Sequence, residues 1–411
     1  MRTNFTIQLP KRIIFGEGSV REVPELVKQF GAGSLVVVSD PVISRMGLVD
    51  QVVKPLHELG VKTEVFDRVE PEPSLHAAEQ VVAVARKSSY DLVIGLGGGS
   101  SLDMAKLASI SATNPEPVTD FIGVGKVQRP GIPKILIPTT AGTGAEITMN
   151  SIISNREEHL KLGIVTPFNI ADVALIDPLL THTLPPKVTA STGLDALTHA
   201  VESLMSVDLN PFCKPLALDA VGLIFRSLPT AYREGRDGAA RRDMSLASML
   251  AGMSLAISGV LAGHAAAYSY SVTVPHGTGC AIALPYVMEY NAPSCLPMLV
   301  AVAEAAGVME PGESREKNAF NAVQAVRRLM EEVGSPTSLK QIGIPESDIE
   351  SMAKRMLTVK RLLAHNPRVF TVEDAVQLFK RMYEGTPLPL AEYRLRIERG
   401  VHTGESASAH K

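Results

Sequence analysis

The sequence predicts two domains: an α/β domain built on a parallel sheet, followed by an all-helical domain. Three observations carry this. Short apolar runs alternate with helical periods through the first half. Glycine clusters follow two of those runs, as they do where a buried strand turns into a helix. Beyond Pro178–Pro186, whose prolines interrupt either periodicity, helical spacing dominates.

The elements read in order as follows. Ser34–Ser39 is a buried strand, Val61–Phe66 an alternating one and Leu75–Lys87 a helix. Asp91–Gly95 is again a buried strand, Ser101–Ser111 a helix, Lys134–Pro138 a strand and Asp172–Asp177 the last strand. Helical stretches then run over 190–205, 215–234, 239–263, 297–307, 316–333, 345–358 and 372–384. The expected domains are 1–186 and 187–385, and the tail 386–411, which loses apolar periodicity, is expected to be mobile.

Composition narrows the function classes. Of 411 residues 45% are hydrophobic and 20% charged, which excludes a mainly disordered chain. Forty basic side chains stand against 43 acidic ones, a net charge of −3, so no bulk positive field gathers nucleic acid or anionic lipid. Three unpatterned cysteines (Cys213, Cys280, Cys295) argue against a disulfide framework and for a reducing, cytoplasmic setting. The first ten residues lack the apolar run of a secretory leader. Met244–Met288 contains no Asp, Glu, Lys or Arg. Its segment Met249–Leu261 is read as a buried core helix rather than a membrane span, because Gly252, Ser254, Ser258 and Gly259 interrupt it and no basic cluster follows.

Chemistry concentrates in a few places. Gly97, Gly98, Gly99 and Ser100 join a strand to a helix start, where free N–H groups and the helix dipole form an anion site; a plain tight turn is the alternative. Thr139, Thr140 and Thr143 follow the next strand, with hydroxyls for a phosphate or ribose or for capping their own backbone. Asp40, at a third strand end, either accepts from ribose hydroxyls and repels a 2′-phosphate or simply caps a turn before Pro41. In the helical half, Asp195 and His199 lie one turn apart, with Leu194, Leu197, Val201 and Leu204 opposite, so the pair is expected to point to solvent or a cleft. With His264 and His276 they make a nitrogen and oxygen donor set for a divalent first-row metal; satisfied core histidines are the alternative. The set lacks a cysteine, which fits Fe²⁺ at least as well as Zn²⁺.

Taken together, Gly97–Lys106, Ile137–Glu146, Gly193–Glu202 and Pro275–Gly277 resemble the iron-containing (group III) alcohol dehydrogenase family. The resemblance runs from about residue 5 to about residue 384, and Asn366–Arg368 resembles the family's ending. It implies a Rossmann-like amino-terminal domain and a helical carboxyl-terminal domain, a dehydroquinate synthase-like architecture with a cleft between the two. It further implies that Gly97, Gly98, Gly99 and Ser100 hold a pyrophosphate, with Asp103 of the same motif among the cofactor residues. Asp40 then meets the adenosine ribose, Thr139, Thr140 and Thr143 contact the nucleotide, and Lys161 lies near the nicotinamide ribose. Asp195, His199, His264 and His276 match the four metal ligands.

The implied cofactors are NAD, with NADP the alternative, and Fe²⁺, with Zn²⁺ or another divalent metal the alternative. The implied reaction is hydride transfer between NAD(P) and a primary alcohol or aldehyde, or a hydroxy or oxo acid, with His264 and Tyr268 at the reacting groups. A small-molecule substrate and a homodimer or larger homo-oligomer are expected, with no nucleic acid and no membrane. The rival reading is a metal-dependent hydrolase or lyase whose ligands activate water; a silent metal- or nucleotide-binding module is a third. Three departures stand out. His264 and His276 are two residues closer than in many members. Tyr268 stands where alcohol-oxidising members carry a relay histidine, and tyrosine, ionising at about 10 in model peptides, relays protons less readily near neutrality. Glu72 replaces a frequent asparagine.

Overall fold

The computed structural model describes residues 1–156, 160–269 and 274–402. The chain divides into two compact units, one of Ile7–Leu184 and one of Pro185 onward together with Met1–Thr6.

The first unit is an α/β layer structure. Its strands are β1 (Arg12–Phe15), β2 (Ser34–Val38), β3 (Lys62–Phe66), β4 (Leu92–Gly97), β5 (Gly123–Val124), β6 (Lys134–Pro138), β7 (Asn150–Asn155), β8 (Leu160–Val165) and β9 (Val173–Ile176). Its helices are α1 (Val23–Gln29), α2 (Pro41–Arg45), α3 (Leu48–Glu58), α4 (Leu75–Lys87), α5 (Gly99–Ser111) and α6 (Val118–Phe121). Six strands form a sheet in the order β1-β9-β6-β4-β2-β3, with every pairing parallel. The two-residue alternation of strand side chains sorts the core into two faces. Val36, Val38 and Val93 pack on one side, and Leu35, Val37, Leu92, Ile94 and Leu96 on the other. Both faces are dry, which is why these strands read as unbroken apolar runs.

Two features of this unit escaped the sequence. The edge strand β1 is four residues long and begins on exposed Arg12, too short and too charged to signal burial. A second, three-stranded sheet pairs β7 with β8 antiparallel and β8 with β5. Its strands mix Asn, Ser and Lys with single apolar residues and are mostly half-buried, so their period is weak.

The second unit consists of helices α7 (Pro186–Met205), α8 (Cys213–Arg233), α9 (Gly238–Ser258), α10 (Ala262–Ala267), α11 (His276–Ala305), α12 (Arg315–Glu332), α13 (Ile349–Thr358), α14 (Lys360–Leu363), α15 (Val372–Glu384) and α16 (Leu390–His402), with short 3₁₀ turns between some of them. α7 is the central rod, packed by α8, α9 and α11. Among the described residues no helix is long and apolar enough to cross a membrane, and Met249–Ser258 lies inside α9, much of it buried.

Three expectations are corrected here. The helix expected over 239–263 is broken: α9 ends at Ser258, Gly259 turns with φ 74°, and α10 starts afresh at Ala262. The helix expected at 297–307 is instead α11, 30 residues long with Pro285, Pro293 and Pro297 inside it. Each proline deletes one N–H donor and discourages a helix in isolation, but burial against α7 and α12 outweighs that local preference. The segment expected as a mobile tail carries α16, whose Tyr393 and Ile397 are buried beside α11 and α12; residues 403–411 lie outside the described residues.

Glu146, after the second glycine cluster, is buried with 3% of its surface exposed. Burial pushes its carboxyl up from 4.5 to about 7. The folded chain thus keeps this proton up to about pH 7, whereas the unfolded chain releases it near 4.5. Stability contributed by the neutral form is full below pH 4.5 and is lost as pH rises through 7, a change on the order of 3 kcal/mol. Glu146→Gln should therefore flatten the fall in melting temperature between pH 5 and pH 8. Equal slopes for the variant and the parent protein would refute the assignment.

Candidate metal and nucleotide sites

In the α/β unit the chain leaves β2 toward β3 and leaves β4 toward β6, in opposite directions across the sheet. Neighbouring strands β2 and β4 therefore define a topological switch point, where ligands sit beyond the carboxyl ends. Asp40 follows β2 and Gly97–Ser100 follow β4, so both candidate motifs meet at this point. Gly97 adopts φ 149°, and a Cβ there would lie 2.6 Å from Ser101 Oγ, so only glycine fits. Gly98 caps α5 without a side chain to occupy its first N–H groups. The two glycine turns touch: a Cβ on Gly99 would meet Thr143 at 2.8 Å, and one on Gly98 would meet Thr140 at 3.5 Å. Thr139 donates its backbone N–H to Gly97 O at 2.9 Å, and its buried Oγ1 has no hydrogen-bond partner among the described residues.

The turn reading and the binding reading of Asp40 coexist. Its Oδ1 accepts from Val42 N and Ile43 N at 2.9 and 3.1 Å, capping α2, while Oδ2 accepts from Ser101 Oγ at 3.2 Å beside the glycine turn. Asp103 is engaged otherwise. Lys106 donates to Oδ1 at 3.0 Å and Ile152 N to Oδ2 at 3.0 Å, so this carboxylate latches α5 to β7. Burial raises its carboxyl above the usual range, and the Lys106 ammonium opposes the shift. Lys161, on β8, is gripped by Glu72 at 2.7 Å. Glu72 has φ 51°, the one positive value off glycine among the described residues, and its N–H donates to Ser100 Oγ at 3.3 Å. The unusual glutamate thus ties Lys161 to the glycine turn, a role the sequence did not disclose.

In the helical unit, α7 supplies Asp195 and His199, α10 supplies His264, and α11 opens on His276. Of the two expected surroundings for Asp195 and His199, solvent is excluded: they are 2% and 4% exposed, because α8, α9 and α11 pack around α7. His199 Nε2 and His264 Nε2 each lie 3.8 Å from Asp195 Oδ1. The rings of His199 and His264 stack at 4.7 Å, and those of His264 and His276 meet edge-on at 5.4 Å. Donors about 2.1 Å from a tetrahedral cation stand about 3.4 Å apart, close to these separations. Asp195 Oδ1 and His264 Nε2 are buried with no hydrogen-bond partner among the described residues, which is costly unless a cation completes them. The residues present therefore fit a divalent metal.

Glu202, which the sequence placed in the motif without a role, organises this cluster. It is fully buried and accepts from Leu261 N at 2.9 Å, Gly263 N at 2.6 Å and His264 Nδ1 at 2.7 Å. With Nδ1 donating, Nε2 of His264 carries the lone pair toward Asp195, the arrangement in which an outer carboxylate orients a metal-binding imidazole. A Cβ on Gly263 would sit 2.7 Å from Glu202 Oε1, so the approach requires glycine. The available signal was an acidic residue three after His199 on the same helix, in a run whose only other charged residue after Lys187 is Asp195. Tyr268 caps α10, and its ring lies 5.6 Å from that of His276. Of its hydroxyl-bearing neighbours, Ser269 donates to Ala266 O, whereas Tyr270 and Ser271 lie outside the described residues.

Glycine-rich turns at a sheet's switch point, with a cluster of buried metal-donor side chains elsewhere in the chain, fit a metal-assisted dehydrogenase better than a hydrolase, which has no use for a dinucleotide crevice. Comparison with known proteins agrees. Residues 10–178 match the iron-containing alcohol dehydrogenase family, and residues 189–383 match the carboxyl-terminal part of the Fe-containing alcohol dehydrogenase family. Long-chain-alcohol dehydrogenase 1 of Geobacillus thermodenitrificans is 41% identical over 386 residues, covering 91% of this chain and 97% of the relative. The 1,3-propanediol dehydrogenase of Klebsiella pneumoniae is 32% identical over 383 residues, covering 92% and 99%. The crystal structure of a 1,3-propanediol oxidoreductase superposes with a TM-score of 0.89 at 32% identity, covering 92% of this chain and all (100%) of the other. The sulfoacetaldehyde reductase of Bifidobacterium kashiwanohense, solved with NAD⁺, superposes at 0.83 with 28% identity, covering 93% and 99%. This chain belongs to the iron-containing alcohol dehydrogenase family and is an oxidoreductase; nothing in these likenesses favours the hydrolase or lyase reading.

Glu202→Gln keeps the shape of the side chain but cannot accept equally from all three donors. It should weaken metal binding by about 10- to 100-fold, read by competition with a chelator. Unchanged affinity in a normally folded variant would remove Glu202 from this role.

Proposed function

We propose that the chain transfers hydride between NAD and a small primary alcohol or aldehyde, using a divalent metal held by Asp195, His199, His264 and His276. The observation that carries the reading is the pair of buried, unsatisfied atoms, Asp195 Oδ1 and His264 Nε2, converging 3.8 Å apart. When bound, the cation supplies a Lewis acid and the nicotinamide supplies the acceptor or donor of hydride.

The rest falls to the chain's own residues. Gly97, Gly98, Gly99 and Ser100 take the pyrophosphate on backbone N–H groups at the head of α5. Asp40, whose Oδ1 is spent on the α2 cap, offers Oδ2 to the adenosine ribose and repels a 2′-phosphate, favouring NAD over NADP. Thr139, Thr140 and Thr143 line the adjoining turn, with Thr139 Oγ1 seeking an acceptor or donor. Lys161, positioned by Glu72, serves the nicotinamide ribose. Asp103 supports the nucleotide site indirectly by holding α5 to β7. His264, with Nδ1 held by Glu202, acts at the reacting oxygen only through the metal that its Nε2 would hold, and Tyr268, beside His276, moves the proton. Relatives bear the names long-chain-alcohol dehydrogenase, 1,3-propanediol dehydrogenase and lactaldehyde reductase, which share an alcohol or aldehyde group. None of the three cysteines is joined in a disulfide among the described residues, in keeping with a cytoplasmic setting.

Stripping the metal with a chelator should lower NAD-linked alcohol oxidation by on the order of a hundredfold or more, with recovery on adding Fe²⁺ or Zn²⁺. Full activity in metal-free protein would end the Lewis-acid reading. Asp40→Ala should shift the NAD to NADP preference by about tenfold, the worth of one charged hydrogen bond. A constant ratio of kcat/KM for the two cofactors would take Asp40 out of the ribose site.

A further inference from the structure

The segment after β3 carries a charged side chain that the fold leaves uncommitted. Ser39, just past β2, donates its N–H to Phe66 O at 2.8 Å, and its carbonyl accepts from Val69 N at 3.1 Å. A regular parallel ladder would take the second bond from residue 68, so one extra residue bulges out here, beside Asp40. Asp67 and Arg68 form the bulge. Asp67 Oδ2 accepts from Ser44 Oγ at 2.6 Å and so clasps α2, the helix that Asp40 caps. Glu70 pairs with Arg156 at 2.9 Å, and Glu72 with Lys161 at 2.7 Å. Of the four charged side chains in residues 67–72, only Arg68 makes no hydrogen bond or ion pair among the described residues. It is exposed, and its guanidinium carbon lies 5.0 Å from the centroid of the buried Phe66 ring. That contact steadies the guanidinium without consuming its donors.

The strand order β4-β2-β3 gives this position its meaning. Neighbouring strands lie about 4.8 Å apart, and these three strand ends carry, in turn, Gly97–Ser100, Asp40 and the bulge. A dinucleotide with its pyrophosphate at β4 and its adenosine ribose at Asp40 carries its purine onward to the end of β3. We propose that Arg68 binds the adenine ring of the nucleotide, laying its guanidinium on the purine face. The inference rests on the nucleotide reading above and adds the side chain that takes the base. A planar guanidinium stacks on aromatic faces, which an ammonium does not reproduce. Val42, on α2 two residues after Asp40, is 53% exposed and offers an apolar surface that a bound purine would cover.

The test is titration of the full chain with NAD, NADP, AMP and nicotinamide mononucleotide. Arg68→Ala should weaken the first three by about fivefold to tenfold, because they carry the purine, and leave nicotinamide mononucleotide unchanged. In steady-state assays KM for NAD should rise by the same factor while kcat changes by less than about twofold. Arg68→Lys, which keeps the charge but not the plane, should recover only a small part of the loss. Full recovery by lysine, or a loss confined to NADP, assigns Arg68 to a phosphate and overturns the stacking. Unchanged affinity for AMP in Arg68→Ala overturns it too and leaves NAD binding standing. An equal loss for nicotinamide mononucleotide marks a general disturbance of the unit and also counts against Arg68. If the parent protein binds neither NAD nor AMP, the nucleotide reading falls together with this inference.

Discussion

A carboxylate removed from water must be met by donors, and the helical unit is arranged around one such group. Glu202 has none of its surface exposed, and an unpaired charge there would cost several kcal/mol. Its three donors are two backbone N–H groups and one imidazole. Those N–H groups are available only because the helical run stops at Ser258 and restarts at Ala262, exposing Leu261 N and Gly263 N at a fresh helix start. Side chains at the end of α7 hold the opposite lip of the break: its C-cap Ser206 Oγ donates to Ser258 O at 2.6 Å and Ser203 Oγ to Gly259 O at 3.3 Å. The break, the position of His264, its tautomer and the direction of its free nitrogen therefore share one cause.

The α/β unit meets a different demand, that of bringing polar groups to the rim of a dry sheet. Strands buried on both faces leave only their ends for chemistry. Asp40, Gly97 and Thr139 sit at three such ends, and short-range contacts lock them together: Ser101 to Asp40, Gly97 O to Thr139 N, Gly99 against Thr143. Glu72 adds a fourth segment at the expense of an uncommon backbone angle, held by its bonds to Ser100 and Lys161. The rim is thus preorganised by the protein's own hydrogen bonds.

What the sequence disclosed follows the strength of each local signal. Lys134–Pro138, Leu75–Lys87 and Val372–Glu384 occupy the expected residues, because continuous burial or a clear 3.6 period marks them. The strands β7 and β8 were illegible because half-buried Asn, Ser and Lys carry no clean alternation. α11 was illegible for the opposite reason: its prolines forbid what its tertiary neighbours enforce. Within the site, residue types and motif order singled out Asp195, His199, His264 and His276, which do lie together. Their surroundings were left open between solvent and a cleft, since an amphipathic reading of one helix cannot register the helices packed around it. Glu202 was visible as a letter, but its role depends on which backbone and which ring stand opposite it.

α11 also joins two distant commitments on one rigid rod. Its first residue is His276, and farther along Glu289 is fully buried and gripped by Arg327 and Arg381. Arg327 in turn lies 4.4 Å over the Tyr286 ring of the same helix. Inserting or deleting a single residue between Cys280 and Glu289 would rotate one end against the other by about 100°. Either His276 would swing away from Asp195 and His264 or the glutamate would be stranded from its arginines. A change of length is therefore costlier within 281–288 than in the connections at 306–314 and 334–348, so the helix acts as a fixed ruler between its two ends.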